Sequence, residues 1–324
     1  MNAGTVLTAS LLAGGGLNTA EHRRQVQGAA TAAREAREHE EELFRQQLAH
    51  HRSSRKDRKR LRRIPMSGAW LSILPSRWHG TLLSCDEWRD NIRLRYGMEP
   101  LRLCSSCDGC GADFTVEHAL SCKVGGLVHI RHDDVRDEAG ALAAMAFQKS
   151  AVSYEPPIYS GTGVRASQMA PGDGNDGDRG DVLVHGLWKR GEDAILDTQV
   201  VDCDAPSRRS YMDSEKILES CARVKKLKYL QPCIERRRSF TPLIYSVDGM
   251  AGREAQAFEK RIAHLLAEKW ERHYSVLRGF VRGRMALAVV RSNTLLLRGS
   301  RMRKAARFAG QDGAALSGLG HVRD

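Results

Sequence analysis

Two sets of residues in this 324-residue chain have the types and spacings to do chemistry. The first is a pair of carboxylates, Asp181 and Asp197, in the stretch GDRGDVLVHGLWKRGEDAILDTQVVD. Asp181 opens one apolar run and Asp197 lies inside a second, with the polar turn Lys189–Asp193 between them. A carboxylate inside an apolar strand loses hydration and needs a partner. If the runs pair as a hairpin, positions equally far from the turn meet, and the two acids converge. Adjacent carboxylates repel unless a proton or a divalent cation lies between them, so the pair is a candidate Mg2+ site. Period-two alternation puts Asp197, Gln199 and Val201 on one face of the second strand, opposite Leu196, Thr198 and Val200.

The second set lies in CSSCDGCGADFTVEHALSC, Cys104–Cys122. Two residues separate Cys107 from Cys110, seven separate Cys110 from His118, and three separate His118 from Cys122. A cysteine pair on a glycine-containing turn, followed by a short helical turn carrying His and Cys, fits tetrahedral Zn2+. Cys104 competes with Cys107 for one position. With four protein ligands such a site folds its segment and does no chemistry itself. Cysteines clustered with a histidine in this way argue for metal in a reducing compartment rather than for a disulfide framework.

Several elements must position these groups. Residues 1–18 are small and glycine-rich and read as disordered; from about Asn18 to His51, Ala, Glu, Arg and Gln predict an exposed helix. The cationic run Arg52–Arg63 reads either as a nuclear-localisation or phosphate-binding patch or as a solvated linker, closed by Pro65. Ser84 with Glu87 forms a capping box, predicting a helix through Tyr96 with Gly97 at its end and Trp88, Ile92 and Tyr96 on its packed face. After Gly125–Gly126 comes a helix within His129–Ser150, beginning near Asp133, with Val135, Ala139, Leu142 and Ala146 as its stripe. VSYEPPIYS is a strand broken by Pro156–Pro157 and so belongs at an edge. Gly161–Gly180 is a loop, and the hairpin follows it. A helix over Asp213–Ile234 is expected to turn Ile217, Cys221, Val224, Leu227 and Leu230 inward, with Lys225, Lys226 and Lys228 near its end. A strand over Phe240–Met250 and one broken or two consecutive helices complete the order, and the tail after Arg298 reads as disordered. The expected segments are 1–64, an N-terminal helix and basic arm; 65–103, a helical linker; 104–126, the zinc segment; 127–297, an α/β domain; and 298–324, the tail.

Charge points to the partner. Lys and Arg number 51 against 39 Asp and Glu, a net charge of +12, which implies a polyanion such as DNA or RNA. No signal peptide or membrane span is evident, and the expected location is intracellular and, with the basic run, nuclear.

The order from Asp133 onward, α-β-β-β-α-β with acids on the middle strands and lysines on the next helix, resembles the PD-(D/E)XK, or restriction-endonuclease-like, superfamily. More closely, Cys107–Cys122 followed by RHDDV (Arg131–Val135), RGDVLV and KKLKY (Lys225–Tyr229) is similar to the C-terminal region of non-LTR retrotransposon polyproteins. There a CCHC zinc knuckle precedes a restriction-like endonuclease. GAWLSILP, EWRDNIRLRYG, HALSCKVGG and IERRRSFTPLIYSVDG also look like reverse-transcriptase-related proteins. The resemblance spans roughly residues 66–303. It implies a mixed sheet flanked by helices, with Asp181 and Asp197 as magnesium ligands. Gln199 stands where the usual pattern has lysine. Lys225, with Tyr229 in the K-x-x-K-Y context, is the implied replacement, and Glu138, with Asp137 competing, is a further carboxylate. The implied activity is metal-dependent nicking of DNA; the alternative is a non-catalytic nucleic-acid-binding remnant. RHDDV carries adjacent aspartates, yet no aromatic residue stands two positions before them and they open a helix, so no polymerase site is expected.

Overall fold

A computed structural model describes part of residues 21–46 and residues 55–302, apart from 78–79, 159–178 and 206–211. The predicted disorder of residues 1–18, most of the Gly161–Gly180 loop and the tail beyond 302 lie outside the described residues. The chain divides into two compact units, Met1–Ser54 and Arg55–Asp324. In the first, the described residues between 21 and 46 are helical and exposed, as their composition predicts.

The second unit contains α1 (Arg55–Ser67), α2 (Cys85–Arg95), α3 (Val116–Ser121), α4 (Leu127–Ala146), β1 (Val152–Tyr154), β2 (Val182–His185), β3 (Asp193–Val201), α5 (Ser214–Glu235), β4 (Arg238–Ser246), α6 (Arg253–Lys269) and α7 (Tyr274–Arg298). The four strands form one sheet in the order β1-β2-β3-β4, so the proline-limited β1 is indeed at an edge. β1, β2 and β3 run antiparallel, whereas β3 and β4 are parallel and joined through α5. This is a mixed α/β architecture with helices on both faces.

Alternation along β3 and β4 decides which helix meets which side chain. Ala194, Leu196, Leu243 and Tyr245 pack with Val182 and Val184 against Val135 and Leu142 of α4, Phe258 of α6 and Met285 of α7. Ile195, Val201, Phe240 and Ile244 face the other way, toward Ile217, Leu218, Cys221 and Cys233 of α5. Asp197 belongs to this second face.

From Arg55 onward the cationic run is not a linker. It is most of α1, with Pro65 in the helix's last turn. Lys59 and Arg63 are buried, and Arg63 is only 2% exposed. Arg63 donates to Asp248 at 2.6 Å, to Asp204 at 2.7 Å and to Ser214 at 2.9 Å, while Lys59 donates to the Cys203 carbonyl at 2.6 Å. Arg60 adds a second contact to Asp204 at 2.9 Å. The acids lie about 140 positions or more further along the chain, at the end of β3 and after β4, so sequence neighbourhood hides them. The expected boundary at residue 64 therefore cuts through a helix.

α2 begins with the full Ser84–Glu87 capping box and ends at Tyr96 before left-handed Gly97. Its buried residues are not the expected apolar ones but Asp90, Asn91 and Arg95. Arg298 of α7 grips Asp90 with two nitrogens at 2.7 and 2.9 Å, and Asn91 donates to the Val290 carbonyl at 2.8 Å. Arg95 donates to the Ile64 carbonyl at 2.8 Å. α7 offers a polar strip, so α2 docks with polar side chains, while Trp88 stays half exposed against Trp70 at a centroid distance of 5.4 Å.

Candidate functional site

The hairpin register pairs Val182 with Leu196, which places Asp181 opposite Asp197 one step further along. The Asp181 amide donates to the Leu196 carbonyl at 3.0 Å, so the ladder extends to the acid itself. Both carboxylates are largely buried. Each is served by a different helix. Lys225 of α5 donates to Asp197 Oδ2 at 2.7 Å. His132 of α4 brings Nε2 to 3.0 Å from Asp181 Oδ2, which also accepts from the Thr198 hydroxyl at 2.6 Å and from the Thr198 amide. Among the described residues no donor reaches Oδ1 of either acid. The pair has two anchored oxygens and two left over.

The environments push the acids apart. Burial raises the Asp181 pKa, but the hydrogen bonds and charge from His132 and the Thr198 donors outweigh it and hold the carboxyl below its usual range. For Asp197 burial dominates; Lys225 opposes it, the charge on Asp181 adds to it, and the net shift is upward. The hydrogen bond to Asp181 holds the His132 imidazole above its ordinary pKa despite burial.

A stability contrast follows. Folding raises the Asp197 pKa, so above the unfolded-state value the ionised form costs the native state stability. Folding lowers the Asp181 pKa, so its charge contributes stability that is present above the unfolded value and lost as pH falls through the folded one. At neutral pH without added magnesium, Asp197→Asn should raise the thermal midpoint and Asp181→Asn should lower it. The same sign for both in thermal melts would contradict this electrostatic account.

The other expected site residues are placed differently. Gln199 lies two positions beyond Asp197 on the same face and is partly exposed; it is Lys225 that contacts the acid. Tyr229 packs on Phe240 at a centroid distance of 5.6 Å, under the Lys228 ammonium at 4.7 Å, and so braces α5 on β4 rather than meeting the acids. Glu138 does not join them either: Arg284 of α7 holds it at 2.5 Å. Asp137 pairs with Arg136 at 2.8 Å.

His132 and Thr198 are the members that the residue pattern did not single out. α4 begins at Leu127, not near Asp133, because Gly125 and Gly126 adopt left-handed angles and end the preceding turn with no capping side chain to mark the start. The stripe Val135, Ala139, Leu142, followed back by three residues, arrives at His132. That was the available signal.

The cysteine segment forms a second, separate cluster. Ligand atoms of Cys107, Cys110, His118 and Cys122 all lie within 4.8 Å of one another. Cys104 is outside the set and exposed, which resolves the competition in favour of Cys107. Bonds of ~2.3 Å to sulfur and ~2.0 Å to nitrogen at tetrahedral angles imply sulfur–sulfur edges of ~3.8 Å and sulfur–nitrogen edges of ~3.5 Å. The Cys107–Cys122 and Cys110–Cys122 sulfurs are 4.0 Å apart, and Cys110 Sγ is 3.4 Å from His118 Nε2. The donor set and its edges fit structural zinc. Among the described residues this is the one group of three or more close candidate ligands; the acid pair supplies two.

Local backbone chemistry builds the cluster. The Cys107 amide donates to the Ala112 carbonyl and the Gly111 amide to the Cys107 carbonyl, closing a turn around left-handed Gly111. Thr115 caps α3, accepting from the His118 amide at 3.1 Å, and Cys122 ends that helix. Burial pushes the Cys107 thiol up, but the amides of Cys110 and Gly109, with His118 and Cys110, bring it down to about 6. It is poised as a thiolate, the form that binds metal.

A clamp seats this segment on the end of α7. Arg301 is buried, donates to the Ala119 carbonyl at 2.9 Å and stacks its guanidinium 5.0 Å above Phe114. Asp108 accepts from the Ser300 hydroxyl at 2.7 Å and the Arg301 amide at 3.0 Å. Gly125 has φ +78 and lies so close to Arg301 that an added Cβ would meet its Cα at 2.6 Å. Ser300 and Arg301 thus belong to the fold, not to the expected tail.

None of the helices described is long and apolar enough to cross a membrane. The chain matches no known protein-family model, and no curated protein matches it.

Proposed function

We propose that this chain is a retroelement-derived, metal-dependent endonuclease that nicks DNA, with the cysteine segment as a structural zinc knuckle. The observation that carries this reading is the Lys225–Asp197 contact beside an in-register Asp181, on adjacent strands of an α-β-β-β-α-β order. That order, the acids on the central strands and the preceding CCHC set are what the resemblance to restriction-like endonucleases of non-LTR retrotransposons implies. Two hard carboxylate oxygens suit magnesium, which commonly takes one or two carboxylates and fills its remaining positions with water and phosphate. When bound, the ion supplies Lewis acidity and a water of lowered pKa for attack on the phosphodiester.

The chain's own residues prepare the site. His132 and Thr198 keep Asp181 ionised and fix the orientation of its carboxylate. Lys225 steadies Asp197 and carries a positive charge to where the phosphorane charge develops, the part lysine plays in the resembled family. Its stem reaches from α5 to a strand acid, so the lysine that Gln199 displaces is replaced from a helix.

One observation favours a second reading, that of a non-catalytic nucleic-acid-binding protein. Each acid already has its own nitrogen partner, Lys225 for Asp197 and His132 for Asp181, and with the imidazole protonated the pair is balanced without a divalent ion. A plasmid assay separates the two readings. Zinc-loaded full chain with magnesium or manganese should convert supercoiled plasmid to open circles, and Asp197→Ala and Lys225→Met should each abolish conversion. Intact plasmid with wild-type protein, together with salt-dependent DNA binding that survives Asp197→Ala, would establish the second reading instead.

A further inference from the structure

The outward face of α5 departs from its expected pattern. Val224 and Leu227 were expected inside, yet they are 63% and 81% exposed, and Ile234 is 53% exposed. Ile217 and Cys221 are buried as expected, but beyond them Lys225 and Lys226 turn inward instead, to Asp197 and to Glu254 of α6. Two ion pairs therefore displace two apolar side chains into solvent. With exposed Gln231 between them, Val224, Leu227 and Ile234 form a narrow stripe at intervals of three and four along one helix face. Exposed Arg223 and Lys228 flank its upper half.

Glu235, which accepts from Gln231 at 3.2 Å, borders the lower end, but the half that holds Val224 and Leu227 is edged with cations and calls for a partner that is anionic outside and apolar within. A second copy of this chain would oppose Arg223 and Lys228 with the same cations, which charge disfavours. Nucleic acid has both features, phosphate rails and stacked base steps between them, and apolar side chains are known to wedge into such steps. The stripe also lies on the helix that delivers Lys225 to the acid pair. We propose that this face of α5 is a nucleic-acid contact surface, in which Arg223 and Lys228 meet phosphates while Leu227, backed by Val224, wedges against a base step. This rests on the nucleic-acid partner of the proposed function and not on hydrolysis.

The test uses the full chain without added magnesium and a short DNA duplex carrying 2-aminopurine, with affinity read by anisotropy across a salt series. Wild type should brighten the 2-aminopurine as the step unstacks. Leu227→Ser should abolish that signal and weaken binding by about tenfold, the scale of one buried leucine, with an unchanged salt slope. Arg223→Gln should keep the signal at saturation and lower the slope by about 0.9, the value of one phosphate contact. The inference is overturned if Leu227→Ser binds and brightens as wild type does. It is also overturned if sedimentation shows wild type assembled and Leu227→Ser dispersed at equal DNA affinity, which would assign the stripe to a protein contact. Nicking without brightening removes this inference alone; brightening without nicking removes the hydrolytic reading alone.

Discussion

Cys107→Ser should cost the protein its zinc and, with it, the seat of the whole 104–126 segment. Wild type is expected to carry about one equivalent by metal analysis, since the cluster supplies one complete set of four ligands. Structural sites of this type contribute about 10 kcal/mol or more of apparent binding free energy, all of it available only to the folded ligand set. Removing one thiolate leaves three ligands and puts a neutral hydroxyl beside Cys122. Thermal melts should show a much lower or split transition, and a strong chelator should do the same to wild type. Cys104→Ser is the control and should change neither metal content nor melting, because Cys104 stands outside the cluster. Wild-type protein purified with well under one equivalent of metal, and unmoved by chelator, would end the zinc assignment.

Arg63→Met is expected to destabilise the unit by about 3–5 kcal/mol, the usual cost of leaving buried charges without their partner. The substitution keeps most of the side-chain volume, so the loss isolates the guanidinium. Asp248 and Asp204 would then sit buried without Arg63, although Arg60 still reaches Asp204. Urea titration should show the midpoint falling at similar slope, and adding Asp248→Asn should recover part of the loss, because a neutral amide no longer needs the cation. A loss under about 1 kcal/mol would place this network among ordinary surface ion pairs.

The order of elements was legible where local chemistry decides it. The capping box at Ser84, the Cys/His spacing and the alternation around Lys189–Asp193 each act within about twenty residues, and each has its structural counterpart. What escaped depends on partners far along the chain. α1 is buried because acids near residues 204 and 248 receive its cations. α2 buries Asp90 and Asn91 because α7 carries matching groups some two hundred positions away. α5 exposes Leu227 because Lys225 and Lys226 find carboxylates on β3 and α6. The local pattern predicts α2 and α5 as helices but not which polar side chains they bury, and it misses α1 as a helix altogether, since ion pairs share with apolar area the choice of the inward face. His132 was missed for a smaller reason, a helix start with glycine in place of a capping side chain.

The clamp between Arg301 and the cysteine segment has a consequence for how the protein is made. Asp108 and the Arg301 amide are 193 positions apart, so the contact closes a loop over most of the second unit. On a ribosome, Cys107 through Cys122 emerge long before the residues that hold them down. The ligands are consecutive enough to capture an ion while synthesis continues, but their docking must wait until residue 301 has cleared the exit tunnel. In the proposed zinc-binding form, metal capture and docking are then separate events in time, and a nascent chain arrested before residue 301 would hold the ion on an unseated segment. Pulsed proteolysis of stalled chains of increasing length would see protection of that segment appear only once residue 301 has emerged, not when the cysteines do.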